Sequence, residues 1–188
     1  FTVKQDTTRM NLRAGVINGP KNPQFSFSTI LTGEIRDRDA ELLAEYKNEK
    51  GKTGVLLGVN ARPLVGGRGK GDGLAFTLIP EEPIIAFRKF HFNEDHNWIY
   101  LHKNMRVYAN VDMWDDEGMG FRVHSVQGDT VSLQNIDVEI RRIRLDEITS
   151  VLPYFPEITG LFSAEAHYIQ TGKDLQLSAE ASIDELTY

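Results

Sequence analysis

Apolar side chains occupy every second position through most of this chain. Positions 105, 107, 109, 111 and 113 are apolar, and the pattern resumes at 119, 121 and 123 after the polar stretch 115–118. Because successive side chains of a β-strand point to opposite faces, this alternation predicts sheet with one apolar face. We therefore expect a chain that is mostly strand.

Short polar stretches divide this pattern into strands. Turns are predicted at 18–20, 37–39, 93–97, 115–118 and 170–174, which leaves about a dozen strands in an all-β meander. Residues 39–47 contain good helix formers, but the turn signals leave only one strand's length there, so a strand is favoured. After Val131 and Leu133 the parity changes near Asn135, which predicts a β-bulge.

One segment departs from the two-residue period. Within 145–152 the apolar residues Leu145, Ile148 and Val151 stand three apart, and Leu152 follows. This spacing predicts a short helix, ended by Pro153 and Pro156.

Composition excludes several classes of function. The 21 basic and 27 acidic residues give a net charge of −6, so the chain as a whole offers no footprint for nucleic acid or an anionic membrane surface. The absence of cysteine excludes disulfides, thiolate metal sites and thiol nucleophiles. No apolar run approaches the roughly 18–20 residues of a membrane-spanning helix. We interpret residues 1–188 as a single segment of a longer protein.

No motif predicts catalysis or a cofactor. The glycine-rich run 66–73 lacks phosphate-loop spacing and resembles a calcium β-roll repeat only once, so a loop is the better interpretation. His91, His96 and His102 are close in sequence but are not expected to converge on a metal ion, and His124 and His167 are isolated. The carboxylate pairs at 81–82, 115–116 and 146–147 are expected to be solvated charges at turns or a helix start.

The apolar face itself is the strongest candidate for function. The purely structural interpretation is a sandwich or barrel whose inner faces bury each other. The functional interpretation is an open trough that binds acyl chains. The predicted lining consists of Val55, Leu57, Val59, Leu74, Phe76, Leu78, Val107, Val111, Met113, Phe121, Val123, Leu133, Val138, Ile140, Phe162, Leu175 and Leu177. The aromatic residues between Phe87 and Tyr100 are expected to cap one end of the trough.

Residues 138–166 resemble the recurring signature of the TamB family, in which a strand leads to a short leucine-rich helix, a Leu-Pro and an Ile-x-Gly that opens a new strand. An aromatic segment at 84–100 is similar to the one that precedes this unit. The likeness is closest over 70–188 and looser over 1–70. The residues that carry it are Val138, Ile140, Ile143, Leu145, Ile148, Val151, Leu152, Pro153, Ile158, Gly160, Phe162, Ala164 and Ala166.

The resemblance implies a fold, a compartment and a function. It implies an elongated, curved antiparallel meander sheet that forms a taco-like groove with a hydrophobic interior. The parent protein would be anchored in the inner membrane of a diderm bacterium, with this segment in the periplasm. It would carry phospholipid acyl chains between the membranes and partner an outer-membrane barrel of the Omp85 type, similar to TamA. No catalytic residue, metal or cofactor is implied.

Two alternatives remain open. The chain could be a scaffold or chaperone module that binds barrel or autotransporter clients by adding a strand at its sheet edge. An enzyme of the jelly-roll glycan hydrolase type is less favoured, because no converging acid pair is identifiable.

Overall fold

The architecture is a single, continuous antiparallel sheet. The computed structural model describes residues 2–5, 9–19, 26–64, 73–129, 131–152, 155–156 and 158–187. Within these residues it contains thirteen strands and one helix: β1 (Thr2–Gln5), β2 (Arg9–Asn18), β3 (Phe27–Arg36), β4 (Asp39–Lys47), β5 (Thr53–Leu64), β6 (Gly73–Ile85), β7 (Arg88–Lys89), β8 (His91–His102), β9 (Val107–Trp114), β10 (Gly120–Ser125), β11 (Gln134–Arg144), α1 (Leu145–Ser150), β12 (Thr159–Gln170) and β13 (Leu175–Thr187).

The strands follow one another across the sheet in chain order. The path runs from β1 to β6 and from β8 to β13, and β7 pairs with the end of β6 as a short hairpin. All pairings are antiparallel, as short turns between sequential strands require. The all-β, curved meander predicted from the sequence is therefore confirmed.

Several local predictions are also confirmed. Residues Asp39–Lys47 form strand β4, although their composition favours helix, because β3 and β5 flank them on both sides. The helix α1 covers Leu145–Ser150, and Val151 is its C-cap. Pro153, which is predicted to end the helix, lies outside the described residues, as does most of the glycine-rich run 66–73.

Two turn or bulge predictions are wrong. Residues 93–97 do not form a turn, because β8 continues through them and carries an insertion between the pairs Phe92–Met113 and Asn97–Val111. The bulge expected near Asn135 lies further along β11, between the pairs formed by Ile140 and Ile143. In both places the partner strand sets the register, and the sequence of one strand does not contain that information.

Bulges give the sheet its curvature. Besides the irregularities in β8 and β11, the register shifts between Thr159 and Leu161 where β12 meets β13. A bulge bends the strand that carries it and increases its local twist, so a meander with bulges in neighbouring strands does not stay flat.

Three of the buried apolar side chains form a small cluster at one end of the strands. Phe90, Met113 and Met119 are its buried members, at 2%, 4% and 3% exposure. Ile85, Phe92, Phe121 and Ile143 pack against them. The hairpin formed by β6 and β7 brings Phe90 to this position, where its N–H donates to the carbonyl of Pro83 at 2.8 Å.

Candidate functional site

The strand register places the predicted lining on one face of the sheet. Across the C-terminal half, Val111 pairs with Val123 and Val123 with Val138. In the N-terminal half, Leu42 pairs with Val59 and Val59 with Leu78. Directly paired residues in an antiparallel sheet project to the same side. By this criterion all the predicted lining residues except Leu133 share a face, which we call the apolar face.

Leu133 does not belong to a strand. It precedes β11, and its N–H donates to the carbonyl of Gln170 at 2.7 Å. Val131, the residue grouped with it in the sequence pattern, is 87% exposed. The alternation at 131–133 therefore belongs to the connection between β10 and β11, and the assignment of Leu133 to the lining has no support from the sheet register.

The apolar face is not sealed by a second sheet. Within the described part of the chain, the strands pack against their neighbours in the single sheet, and no other sheet lies over this face. Large apolar side chains on it remain open to solvent, including Leu42 at 40%, Leu74 at 41%, Leu175 at 63% and Leu177 at 64% exposure. The described strands thus form one open sheet and not a sandwich of two sheets.

Burial along the apolar face is greatest in the middle of the sheet. On β9, Ala109, Val111 and Met113 are only 2–4% exposed. Towards β13 the whole strand is exposed, and the exposed leucines Leu42 and Leu74 lie on the other side of β9. The surface available to a ligand is therefore divided into two flanks, and Val111 and Met113 are covered positions between them.

A shallow depression marks the N-terminal flank. It has a volume of about 200 Å³ and spans β2 to β5. Met10, Leu12, Ile35, Leu42 and Val59 line it, and they lie on the apolar face by the register of these strands. The lining is almost entirely apolar, as expected for a site that binds hydrocarbon without directional contacts.

Only part of the aromatic segment lies at the end of the apolar face where a cap is predicted. Phe90 and Phe92 belong to the cluster that closes one end of the apolar face. Phe87 packs instead against Tyr46, with ring centroids 6.5 Å apart. Trp98 and Tyr100 stack on each other at 4.6 Å, and their parity places them on the opposite face from Ile99. We therefore restrict the cap to Phe90 and Phe92.

A partly buried ion-pair network connects the elements around this cap. Arg88 of β7 donates from Nε and Nη2 to the two carboxylate oxygens of Glu147 in α1. Its Nη1 lies 3.1 Å from Asp115 Oδ2 and 2.9 Å from Glu117 Oε1, both in the β9–β10 turn. The hydrogen bonds that Arg88 donates to Glu147, foremost, and to Glu117 raise the pKa of Arg88 further above its ordinary value.

No sequence pattern predicts this network, and the network corrects one expectation. The prediction that Asp115 is a solvated turn residue is wrong, because its side chain is only 4% exposed. Its Oδ1 accepts hydrogen bonds from the N–H groups of Glu117 and Met119 at 2.9 and 2.8 Å. Arg88 and Glu147 are 59 residues apart, so no local pattern could have paired them.

The opposite face of the sheet, which we call the polar face, carries a second cluster that the sequence does not predict. His124 and His167, isolated in the sequence, flank Asp137 because β10, β11 and β12 are neighbours. His167 Nδ1 lies 2.5 Å from Asp137 Oδ1, and His124 Nε2 lies 3.5 Å from Asp137 Oδ2. Among the described residues, no group of three or more His, Asp or Glu side chains is arranged to hold a metal ion. These contacts are cross-strand pairs that stabilise the sheet.

Comparisons with known proteins give no family. The chain matches no protein-family model, no curated protein and no solved structure. None of the helices in the described ranges is long and apolar enough to cross a membrane.

Proposed function

We propose that this chain is a groove segment of a TamB-like envelope protein, and that its apolar face binds the acyl chains of phospholipids. The observation that carries the proposal is an apolar face that neighbouring strands share and that is exposed on both flanks of β9, with no second sheet among the described strands. Large exposed apolar patches are rare on monomeric soluble proteins and mark interaction sites, so the exposed leucines on both flanks support binding of an apolar ligand. The family resemblance of residues 138–166 supplies the nature of the ligand and the periplasmic location.

The proposed mechanism is physical and uses no catalytic group. Each buried methylene contributes about 0.8 kcal/mol, so a hydrocarbon chain laid on the apolar face is held without any hydrogen bond. Such contacts have no preferred register, which allows a chain to move from strand to strand within one flank. Head groups remain in water at the rim. In the parent protein, this segment would pass phospholipid between the membranes and support an Omp85-type barrel.

The test is lipid binding by variants that alter one face at a time. Leu177→Glu places a charge on the apolar face of β13, where 64% exposure lets the fold tolerate it. Gln176→Glu is the matched control, because the same charge then projects from the polar face of the same exposed strand. We expect co-purified phospholipid, measured by mass spectrometry after extraction, to fall in Leu177→Glu and to be retained in Gln176→Glu.

The choice of position decides whether this experiment is informative. Val111 is 2% exposed, so a charge there would unfold the middle of the sheet and would not report on binding. Leu42→Glu provides an independent probe on the other flank, at 40% exposure. Equal lipid content in Leu177→Glu, Leu42→Glu and the control would contradict the proposal, as would wild-type protein free of lipid.

A second candidate function is a scaffold that accepts a client strand. Strand β13 is exposed along its whole length, and no described strand pairs with its outer edge. It contains neither lysine nor proline, the residues that commonly protect such an edge. Adding lysine at Ser178 and Ser182 should then block binding of a purified, unfolded outer-membrane barrel, whereas Leu177→Glu should not. The opposite result favours the lipid groove.

A further inference from the structure

A mixed-charge depression lies beside the closed end of the apolar face. Its volume is about 380 Å³, and Arg88, Arg142, Arg144, Asp115 and Glu185 are among its lining residues. Met119, a member of the buried cluster that closes the apolar face, also lines it. The depression therefore borders the face for which we propose acyl-chain binding, and the following inference rests on that proposed function.

Three neighbouring strands have an irregular backbone at this depression. Arg142 has φ 48° at the bulge of β11, and Glu185 has φ 55° near the end of β13. Between them, Gly160 of β12 has φ 142°. Positive φ is uncommon for residues other than glycine, and such residues concentrate at ligand sites, where bulges redirect side chains. Here the irregular positions bring a cationic and an anionic side chain to the same depression.

The charges of the depression fall into two groups. The guanidinium groups of Arg88 and Arg144 already form ion pairs. Arg88 pairs with Glu147 and with Asp115 of the β9–β10 turn, and Arg144 pairs with Asp146 at 3.0 Å. The Arg142 guanidinium and the Glu185 carboxylate, by contrast, have no hydrogen bond or ion pair to another described residue. Both side chains are exposed to solvent. A ligand would thus meet one available cation and one available anion.

The geometry points to a site for a zwitterionic head group of the phosphoethanolamine type, with its phosphate on Arg142 and its ammonium group on Glu185. A guanidinium is suited to phosphate because its planar donors match two phosphate oxygens at once. The surrounding carboxylates disfavour a head group that carries only negative charge. The depression would therefore select zwitterionic over anionic phospholipids while the apolar face holds their chains.

The experiment measures binding of water-soluble head groups to the full chain by NMR titration. The probes are glycerophosphoethanolamine, inorganic phosphate and ethanolamine. We expect Arg142→Gln and Glu185→Gln each to weaken glycerophosphoethanolamine binding about tenfold, since each removes one charge-assisted contact. Arg62→Gln and Glu49→Gln are exposed controls that do not line the depression, and they should leave binding unchanged. Circular dichroism verifies that every variant is folded.

The outcomes separate this inference from the proposed function. Absence of glycerophosphoethanolamine binding, or equal binding by all variants, overturns the head-group site. Loss in Arg142→Gln alone, with inorganic phosphate bound as tightly, shows a general anion site and also overturns it. Extraction of phospholipid tests the apolar face independently, because Leu177→Glu removes acyl-chain contacts without changing the depression. If the lipid extraction fails while the soluble head group still binds, the acyl-chain proposal fails and the head-group site stands.

Discussion

Removal of the Arg88 side chain should release the elements that close the end of the apolar face. Arg88→Ala breaks bonds to Glu147 in α1 and to Asp115 and Glu117 in the β9–β10 turn, and it leaves Asp115 buried without its cation. We therefore expect a loss of global stability and, in addition, faster local opening of α1.

The magnitude follows from the burial of each partner. Removing one member of a fully buried ion pair costs about 3–5 kcal/mol, whereas an exposed pair contributes about 0–1 kcal/mol. Arg88 is 22% exposed, Glu147 18% and Asp115 4%, while Glu117 is 63% exposed and adds little. These exposures place the expected loss between the two limits, at about 2–3 kcal/mol in the free energy of unfolding.

The assay is urea unfolding followed by circular dichroism, with hydrogen exchange of the α1 amides as a local measurement. Arg36→Ala is the matched control, because Arg36 and Glu34 form an ion pair of similar distance at 54% and 42% exposure. We expect this control to change stability by less than about 0.5 kcal/mol. A double-mutant cycle of Arg88→Ala with Glu147→Gln should give a coupling of about 1–2 kcal/mol. Equal effects of Arg88→Ala and Arg36→Ala would refute the reasoning.

Three further predictions concern the sheet. Asn97→Leu should speed amide exchange in β6 and cost about 1–3 kcal/mol, since the Asn97 amide bonds both backbone groups of one β6 residue at 2.9 Å. Gly54→Ala should lower the thermal midpoint, because a methyl group would lie 2.8 Å from the Phe87 ring. The hydrogen bond from Arg141 lowers the pKa of Glu139 below 4.5. The stability that the Glu139 carboxylate contributes is therefore present above its pKa in the unfolded chain and is lost as the pH falls through its pKa in the folded chain. In an acid titration, the free energy of unfolding of Glu139→Gln should therefore fall less than that of the wild type.

The sequence predicted the features that depend on neighbouring residues. Alternation along each strand is local, so the strands, the helix α1 and the common face of residues such as Val123 and Val138 could all be inferred before the structure was known. Strand β4 was predictable because its length between turn signals, and not its composition, decided the assignment.

Features that depend on pairing between distant residues could not be predicted. The contact of Arg88 with Glu147 spans 59 residues, and that of His167 with Asp137 spans 30. The insertion in β8 is likewise a property of two strands, because only the register against β9 shows that residues 93–96 stand opposite the single residue Asp112. A single sequence contains the periodicity of each strand but not the offset between strands, and the offset decides which polar groups meet.

The pattern of burial changes how a lipid groove of this kind would work. Twelve strands follow one another along the main path, so the apolar face extends about 50 Å across the strands at their usual spacing. The hydrocarbon of one bilayer leaflet is roughly 15 Å deep, so this length could accommodate more than one acyl chain in succession. The residues of β9 are almost completely buried, however, whereas Leu42 and Leu177 are open. A chain that moved along the whole face would have to displace the groups that cover Val111, whereas chains resting on either flank would not. If the apolar face binds lipid as proposed, the burial of β9 favours two separate binding sites, one on each flank, over a uniform channel.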